Sequence, residues 1–146
     1  MAQVRAVTSR QVGASAQAVF EALADYATVR PKILPAQYSE YVVREGGVGA
    51  GTVVSWQLAA TQRRTRGVLA RVSQPAALTL VEADENSSMR VTWTVSGQGD
   101  VALVTVEAVW NGAQGVGGFF ERTFAPKGLN RIHDQVLAGL ASYVEK

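Results

Sequence analysis

GVGGFFERTFAPKGLNRIHDQVLAGLASYVEK, Gly115 to Lys146, is the stretch whose reading decides how the chain is arranged. From Pro126 onward, Leu129, Ile132, His133, Val136, Leu137, Leu140, Tyr143 and Val144 recur at steps of three and one. At ~100° per residue they fall on one stripe of a helix. Arg131, Asp134, Gln135, Ser142 and Glu145 take the opposite face. Proline at 126 suits a first turn, where a missing N–H costs nothing. A helix from there to about Glu145 spans ~30 Å at 1.5 Å per residue. The remaining chain must supply a surface for its apolar stripe.

That surface lies directly upstream, where the period changes from 3.6 to two. Tyr38–Glu45, Thr52–Ala60, Gln62–Val72, Ala77–Ala83, Ser88–Ser96 and Val101–Trp110 read as strands. Val54, Trp56 and Leu58 share one face; so do Val68, Ala70 and Val72, and Met89, Val91, Trp93 and Val95. Glycines 46, 47, 49 and 51, the pair Gln74-Pro75, the segment Asp84–Ser87 and the run Gly97-Gln98-Gly99-Asp100 are read as the breaks. Short connections and clean alternation predict antiparallel neighbours with one buried face. Further out, Gln3–Val12 alternates as a first strand. Ser15 is a helix N-cap ahead of Val19, Phe20, Leu23 and Ala27. That helix is expected to stop near Ala27, because Pro31 disfavours helical geometry at Arg30. Val29–Leu34 is then a short turn or second helix closed by Pro35. The order is strand, helix pair, six strands in a meander and one long helix, and only that helix is large enough to cover the sheet. A twisted seven-stranded sheet curls around such a helix and leaves space at one end, a common place for small-molecule pockets.

Composition narrows the function. A chain of 146 residues reads as one domain, 1–146. Its net charge of +2 is too small and too scattered to argue for nucleic acid. It has no cysteine, which excludes disulfides and thiolate chemistry, and its single histidine excludes a multi-histidine zinc site. No metal or cofactor is expected. The N-terminus lacks an apolar signal core and no segment approaches a membrane span, so a cytoplasmic protein without integral membrane association is expected. A monomer or weak homodimer is the expected assembly.

Four segments resemble one known superfamily. ASAQAVFEALADYATVRPKILP resembles the opening helix and proline-bearing continuation of the START-like, helix-grip (SRPBCC) proteins, in the group of polyketide cyclases, dehydratases and lipid-transport proteins. EGGVGAGTVVSWQL resembles their Gly-rich turn into the third strand, MRVTWTV a late strand, and the glycine-rich run before Pro126 the lead into their terminal helix. The resemblance spans the whole chain. It implies an α+β helix-grip fold, with a curved seven-stranded antiparallel sheet wrapped on a long C-terminal helix and two short helices after the first strand. It also implies an apolar or amphipathic ligand, such as a lipid or polyketide, held beneath the last helix. Some members of the superfamily are cyclases or dehydratases.

The candidate ligand-binding residues are Trp56, Arg66, Glu82, Trp93, Phe119, Phe120, Leu129, His133 and Val136. His133 lies mid-stripe between Leu129 and Leu137. It either faces the cavity as a hydrogen-bonding or proton-shuttling group, and is then the candidate catalytic residue, or is a core histidine bonded to a strand carbonyl. Arg66 and Arg64 share parity with Val68, Ala70 and Val72, and Glu82 has the parity of Leu78 and Leu80. A buried guanidinium needs a carboxylate, so Arg66 either pairs with Glu82 or meets a ligand. Trp56, Trp93 and Trp110 are core, cavity wall or both, the strand of Trp110 being apolar on both faces. Phe119 and Phe120 either anchor the lead into the last helix or close the cavity, with Gly112–Phe120 swinging as a lid. The glycine clusters lack the Lys-Ser/Thr and helix placement of a phosphate loop. The expected function is therefore the binding, transport or sequestration of a hydrophobic or amphipathic small molecule. The alternatives are a cyclase or dehydratase acting on a polyketide-like substrate, with His133 and Arg66 or a tyrosine as partners, and a non-catalytic interaction module of a regulatory pair whose cavity is merely core.

Overall fold

The structure, a computed structural model, describes residues 3–59, 65–111 and 126–145. The chain order is β1 (Gln3–Val12), α1 (Ala16–Ala24), α2 (Arg30–Ile33), β2 (Tyr38–Glu45), β3 (Val53–Ala59), β4 (Thr65–Ala76), β5 (Thr79–Asp84), β6 (Arg90–Gln98), β7 (Val101–Asn111) and α3 (Pro126–Val144). The strands form one curved antiparallel sheet in the order β1-β7-β6-β5-β4-β3-β2. β2 to β7 are a meander, and β1 returns to pair with β7 from Gln3↔Asn111 to Val12↔Ala102. The architecture is the α+β helix-grip fold that the resemblance implies, in the element order read from the periodicity.

Alternation explains the core. Val104, Val106, Ala108 and Trp110 of β7 face inward with Trp93 of β6 and Leu80 of β5, and all are almost wholly buried. Against them lie Leu129, Val136, Leu137 and Leu140 of α3, each fully buried. At ~1.5–3 kcal/mol per large aliphatic side chain removed from water, this stripe is what docks the helix. Polar contacts fix its register: the Thr8 hydroxyl donates to Asp134 Oδ1 at 2.5 Å, and Gly13 N–H donates to Glu145 Oε2 at 2.8 Å. Asp134 therefore lies on the β1 side. Gly139 brings α3 against α2, since a Cβ there would stand 2.4 Å from the Ile33 carbonyl oxygen. Only glycine permits that approach, and it ties the position of α2 to the helix.

Three local readings are corrected. Helix α1 ends at Ala24, ahead of the expected Ala27. Its exit is captured by the Gly-rich turn: Tyr26 N–H and Ala27 N–H donate to Gly47 O at 2.9 and 3.1 Å, and Gly49 N–H donates to Ala24 O at 2.9 Å. Gly46 makes that turn possible, with φ +68° and a Cβ position only 3.0 Å from Thr52 Cα. Second, Arg30 is helical, the first residue of α2, despite the following Pro31. Proline sits in the opening turn, where it is tolerated, and Arg30 N–H is held by the Asp25 carbonyl at 2.9 Å. Third, Pro75 does not end β4. The β4–β5 register shifts between Ser73 and Ala76, and β3 pairs with β4 only as far as Arg71. The missing N–H of Pro75 thus falls at an irregularity, where no ladder bond depends on it.

Candidate functional site

The site grows from the residues that cannot be left alone in a core. Strand β5 alternates Leu80, Glu82 and Asp84 inward, so Glu82 enters the interior with a carboxylate. Its partner comes from the short helix α2. Arg30 Nη1 donates to Glu82 Oε2 at 2.9 Å, and both side chains are at least 96 % buried. Tyr26, between α1 and α2, donates its hydroxyl to the same oxygen at 2.5 Å. Arg30 Nη2 donates to the Leu23 carbonyl at 2.8 Å. The guanidinium lies 4.2 Å from the ring centre of Tyr26 and 5.2 Å from that of Trp93. Its cation is thus enclosed by one carboxylate, one carbonyl and two aromatic faces.

A cavity opens beside this pair. Trp56 and Leu58 of β3, Val68 and Ala70 of β4, Val91 and Trp93 of β6, and Leu129 and His133 of α3 line it together with Arg30, Glu82 and Asp84. Leu34, Tyr38, Tyr41 and Met89 complete the lining. The space between the lining atoms is about 550 Å³ when the open mouth is included, but only about 30 Å³ admits the centre of a water-sized sphere. That suffices for roughly two water molecules. Anything larger requires the lining to move apart.

Tyr38 and Tyr41 are three residues apart, which in a regular strand sends them to opposite faces. Here the β2–β3 register shifts between Ser39 and Val42, and Glu40 adopts φ +52°. This bulge turns both tyrosines onto Trp56, with ring centres at 5.8 and 6.1 Å. The Tyr41 hydroxyl donates to the Tyr26 carbonyl at 2.7 Å, linking the mouth to the ion pair.

Electrostatically the polar end is closed. Burial works against the charge on Arg30, but Tyr26 and Glu82 outweigh it and raise its pKa. Burial first, and Glu82 second, push the hydroxyls of Tyr26 and Tyr38 upward, so both are neutral at physiological pH. His133 packs edge-on to Trp93, with ring centres 5.6 Å apart, and its Nδ1 has no hydrogen-bond partner. Burial lowers its pKa from 6.5 to about 4. The sign follows: an unfolded chain takes up this proton below ~6.5 and the folded one does not, so stability is full above pH 6.5 and falls as pH drops toward 4. NMR titration of the His133 ring is expected to show no protonation above pH 5. Unfolding at pH 4.5 is expected to have lost part of a contribution of roughly 3 kcal/mol, a loss smaller in His133→Gln. A ring that titrates near 6.5 would place His133 in water.

The sequence-derived candidates divide accordingly. Trp56, Glu82, Trp93, Leu129 and His133 come together on the lining. Val136 is fully buried in the helix–sheet core, beyond the lining. Trp110 is buried core, which resolves its ambiguous strand. Arg66 is buried on the expected parity, but its Nη2 donates to the Asn86 carbonyl at 3.0 Å, and Glu82 pairs with Arg30. Of the two partners left open for Arg66, Glu82 is taken by Arg30 instead. Register is the reason: Arg66 lies opposite Leu58 near the start of β4, whereas Glu82 lies opposite Val72 near its end. Phe119, Phe120, Arg64 and the expected lid Gly112–Phe120 lie outside the described residues. Tyr26, Arg30, Tyr38 and Tyr41 escaped the sequence reading. An inward acid on β5 demands a base, and Tyr26 and Arg30, four apart around a proline-bearing turn, were the available signal. Among the described residues there is no group of three His, Asp or Glu placed to hold a metal, and no helix is long and apolar enough to cross a membrane.

A curved sheet gripping a C-terminal helix over a polar-ended cavity defines the START-like class of proteins. Within it, the chain belongs to the family described as polyketide cyclase / dehydrase and lipid transport, which matches residues 3–145. It is 51 % identical to the KanY protein (ms6282), known from a solution NMR structure, with TM-score 0.90 and full coverage of both chains. The Zhui aromatase/cyclase from Streptomyces sp. R1128 shares the fold at 16 % identity, TM-score 0.76, covering 99 % of this chain and 94 % of that one. A START superfamily protein from Mycobacterium smegmatis does so at 15 % identity and TM-score 0.73, covering 97 % of each. No curated protein matches the sequence.

Proposed function

We propose that the protein binds a hydrophobic or amphipathic small molecule between the sheet and α3, for carriage or sequestration. The observation that carries this reading is one wall built from two chemistries. Leu58, Val68, Ala70, Met89 and Val91 offer an apolar body, while Arg30, Glu82 and His133 gather at one end. A core needing only stability does better without a buried ion pair, because apolar residues of similar volume are often neutral or stabilising in its place. Kinship with a family of cyclases, dehydratases and lipid-transport proteins supports the same reading. The enclosed space of about 30 Å³ implies that ligand entry spreads the lining. The small volume also favours a second reading, an interaction module whose interior is merely filled core.

Native mass spectrometry of protein purified without detergent separates the two. Binding predicts an added mass that organic extraction removes, and a shift of tryptophan fluorescence on its return, through Trp56 and Trp93. His133→Ala is then expected to change affinity by ~0.5–1.5 kcal/mol, one hydrogen bond's worth. A bare chain mass, with fluorescence unmoved by any apolar compound, would leave the interaction module. Abolished turnover of a polyketide-like substrate in His133→Ala, at unchanged affinity, would make the protein a cyclase or dehydratase.

A further inference from the structure

We propose that the cavity selects uncharged ligands bearing a hydroxyl or carbonyl group, and that the closed Arg30–Glu82 pair turns carboxylates away. The inference rests on the binding reading above and specifies its ligand chemistry. An anionic head group in a buried cavity needs a cation whose charge is not already met by another group. Among the described lining residues Arg30 is the cation, and its charge is already met by Glu82. Nη1 is on Glu82, Nη2 is on the Leu23 carbonyl, and the rings of Tyr26 and Trp93 lie against the guanidinium.

The charge count points the same way. Arg30, Glu82 and Asp84 are the charged side chains among the described lining residues, giving +1 − 1 − 1 = −1. The Asp84 carboxylate accepts from Leu69 N–H and Asn86 N–H at 3.0 Å each and from the Ser87 hydroxyl at 2.7 Å. A carboxylate entering here gives up water for a wall of its own sign, while a neutral oxygen does not.

The unsatisfied atoms describe what is wanted instead. Arg30 Nε, Trp56 Nε1, Trp93 Nε1 and His133 Nδ1 belong to lining residues, are buried, and have no hydrogen-bond partner. Three of these are donors, and both donors to Glu82 converge on Oε2, leaving Oε1 able to accept. Buried polar atoms are rarely left unpaired. A hydroxyl or carbonyl on an apolar body meets both needs without adding charge.

Isothermal titration calorimetry at pH 7.5 tests this with two matched pairs, decanol against decanoate and 2-naphthamide against 2-naphthoate. The neutral member of each pair is expected to bind wild-type protein at least ~10-fold more tightly, ~1.4 kcal/mol. Glu82→Gln keeps shape and an acceptor for Tyr26 but removes the charge that occupies Arg30. In that variant decanoate is expected to overtake decanol and to raise the melting temperature, which it leaves unmoved in wild type. The thermal shift remains readable even when the variant is destabilised, and the wild-type comparison needs no variant. Equal or tighter binding of the carboxylates by wild type overturns the selectivity, as does an unchanged order in Glu82→Gln. If none of the four compounds binds, the selectivity is overturned, while the binding reading is decided separately by the native mass spectrum.

Discussion

Glu82→Ala is expected to lower the unfolding free energy by about 3–5 kcal/mol, a large share of the ~5–15 kcal/mol by which a domain is stable. The loss is not the strength of the pair itself. Truncation leaves the Arg30 guanidinium, its side chain 3 % exposed, without its counter-charge, and takes from Tyr26 its acceptor. The double variant Arg30→Met/Glu82→Leu removes both charges with little change of volume. It is expected to return to within ~1–2 kcal/mol of wild type or to exceed it. Urea denaturation of the three proteins measures the difference. A loss below ~1 kcal/mol for Glu82→Ala would mean that water reaches Arg30.

The second large effect lies in the helix. Leu140→Ala is expected to cost about 2–5 kcal/mol, the range for deleting most of a fully buried leucine. Room to relax is small there, because the neighbouring Gly139 holds α3 against the backbone of α2 at Ile33. Neither helix can settle into the hole without disturbing that contact, which favours the upper half of the range. A loss under ~0.5 kcal/mol in chemical denaturation would mean that this face of α3 is not the docked one.

The helix and the sheet were legible because burial leaves a period in the sequence. Leu129 to Val144 follows 3.6, each strand follows two, and the seven-stranded grip is the arrangement that satisfies both. The site was legible only where it used the same parity. Trp56, Glu82, Trp93 and His133 point inward as the alternation requires. Arg30 was missed because parity says nothing about a residue in a four-residue helix next to a proline, and its direction shows only in its bonds to Glu82 and the Leu23 carbonyl. Tyr41 was missed because the bulge at Glu40 breaks the alternation that would have assigned it. Arg66 was placed on the correct face while its partner stayed open between Glu82 and a ligand, since register between strands depends on turns that the pattern does not encode.

The bulge at Glu40 also has a consequence for how such chains diverge. Among the described strands β2 is the outermost on its side of the sheet and is hydrogen-bonded to β3 alone. A residue inserted or deleted there rotates Tyr38 against Tyr41 without unzipping a second ladder, whereas the same change in β5 would move Glu82 and disturb two neighbours. A length change in β2 therefore reshapes the rim of the cavity and leaves the buried Arg30–Glu82 pair where it is.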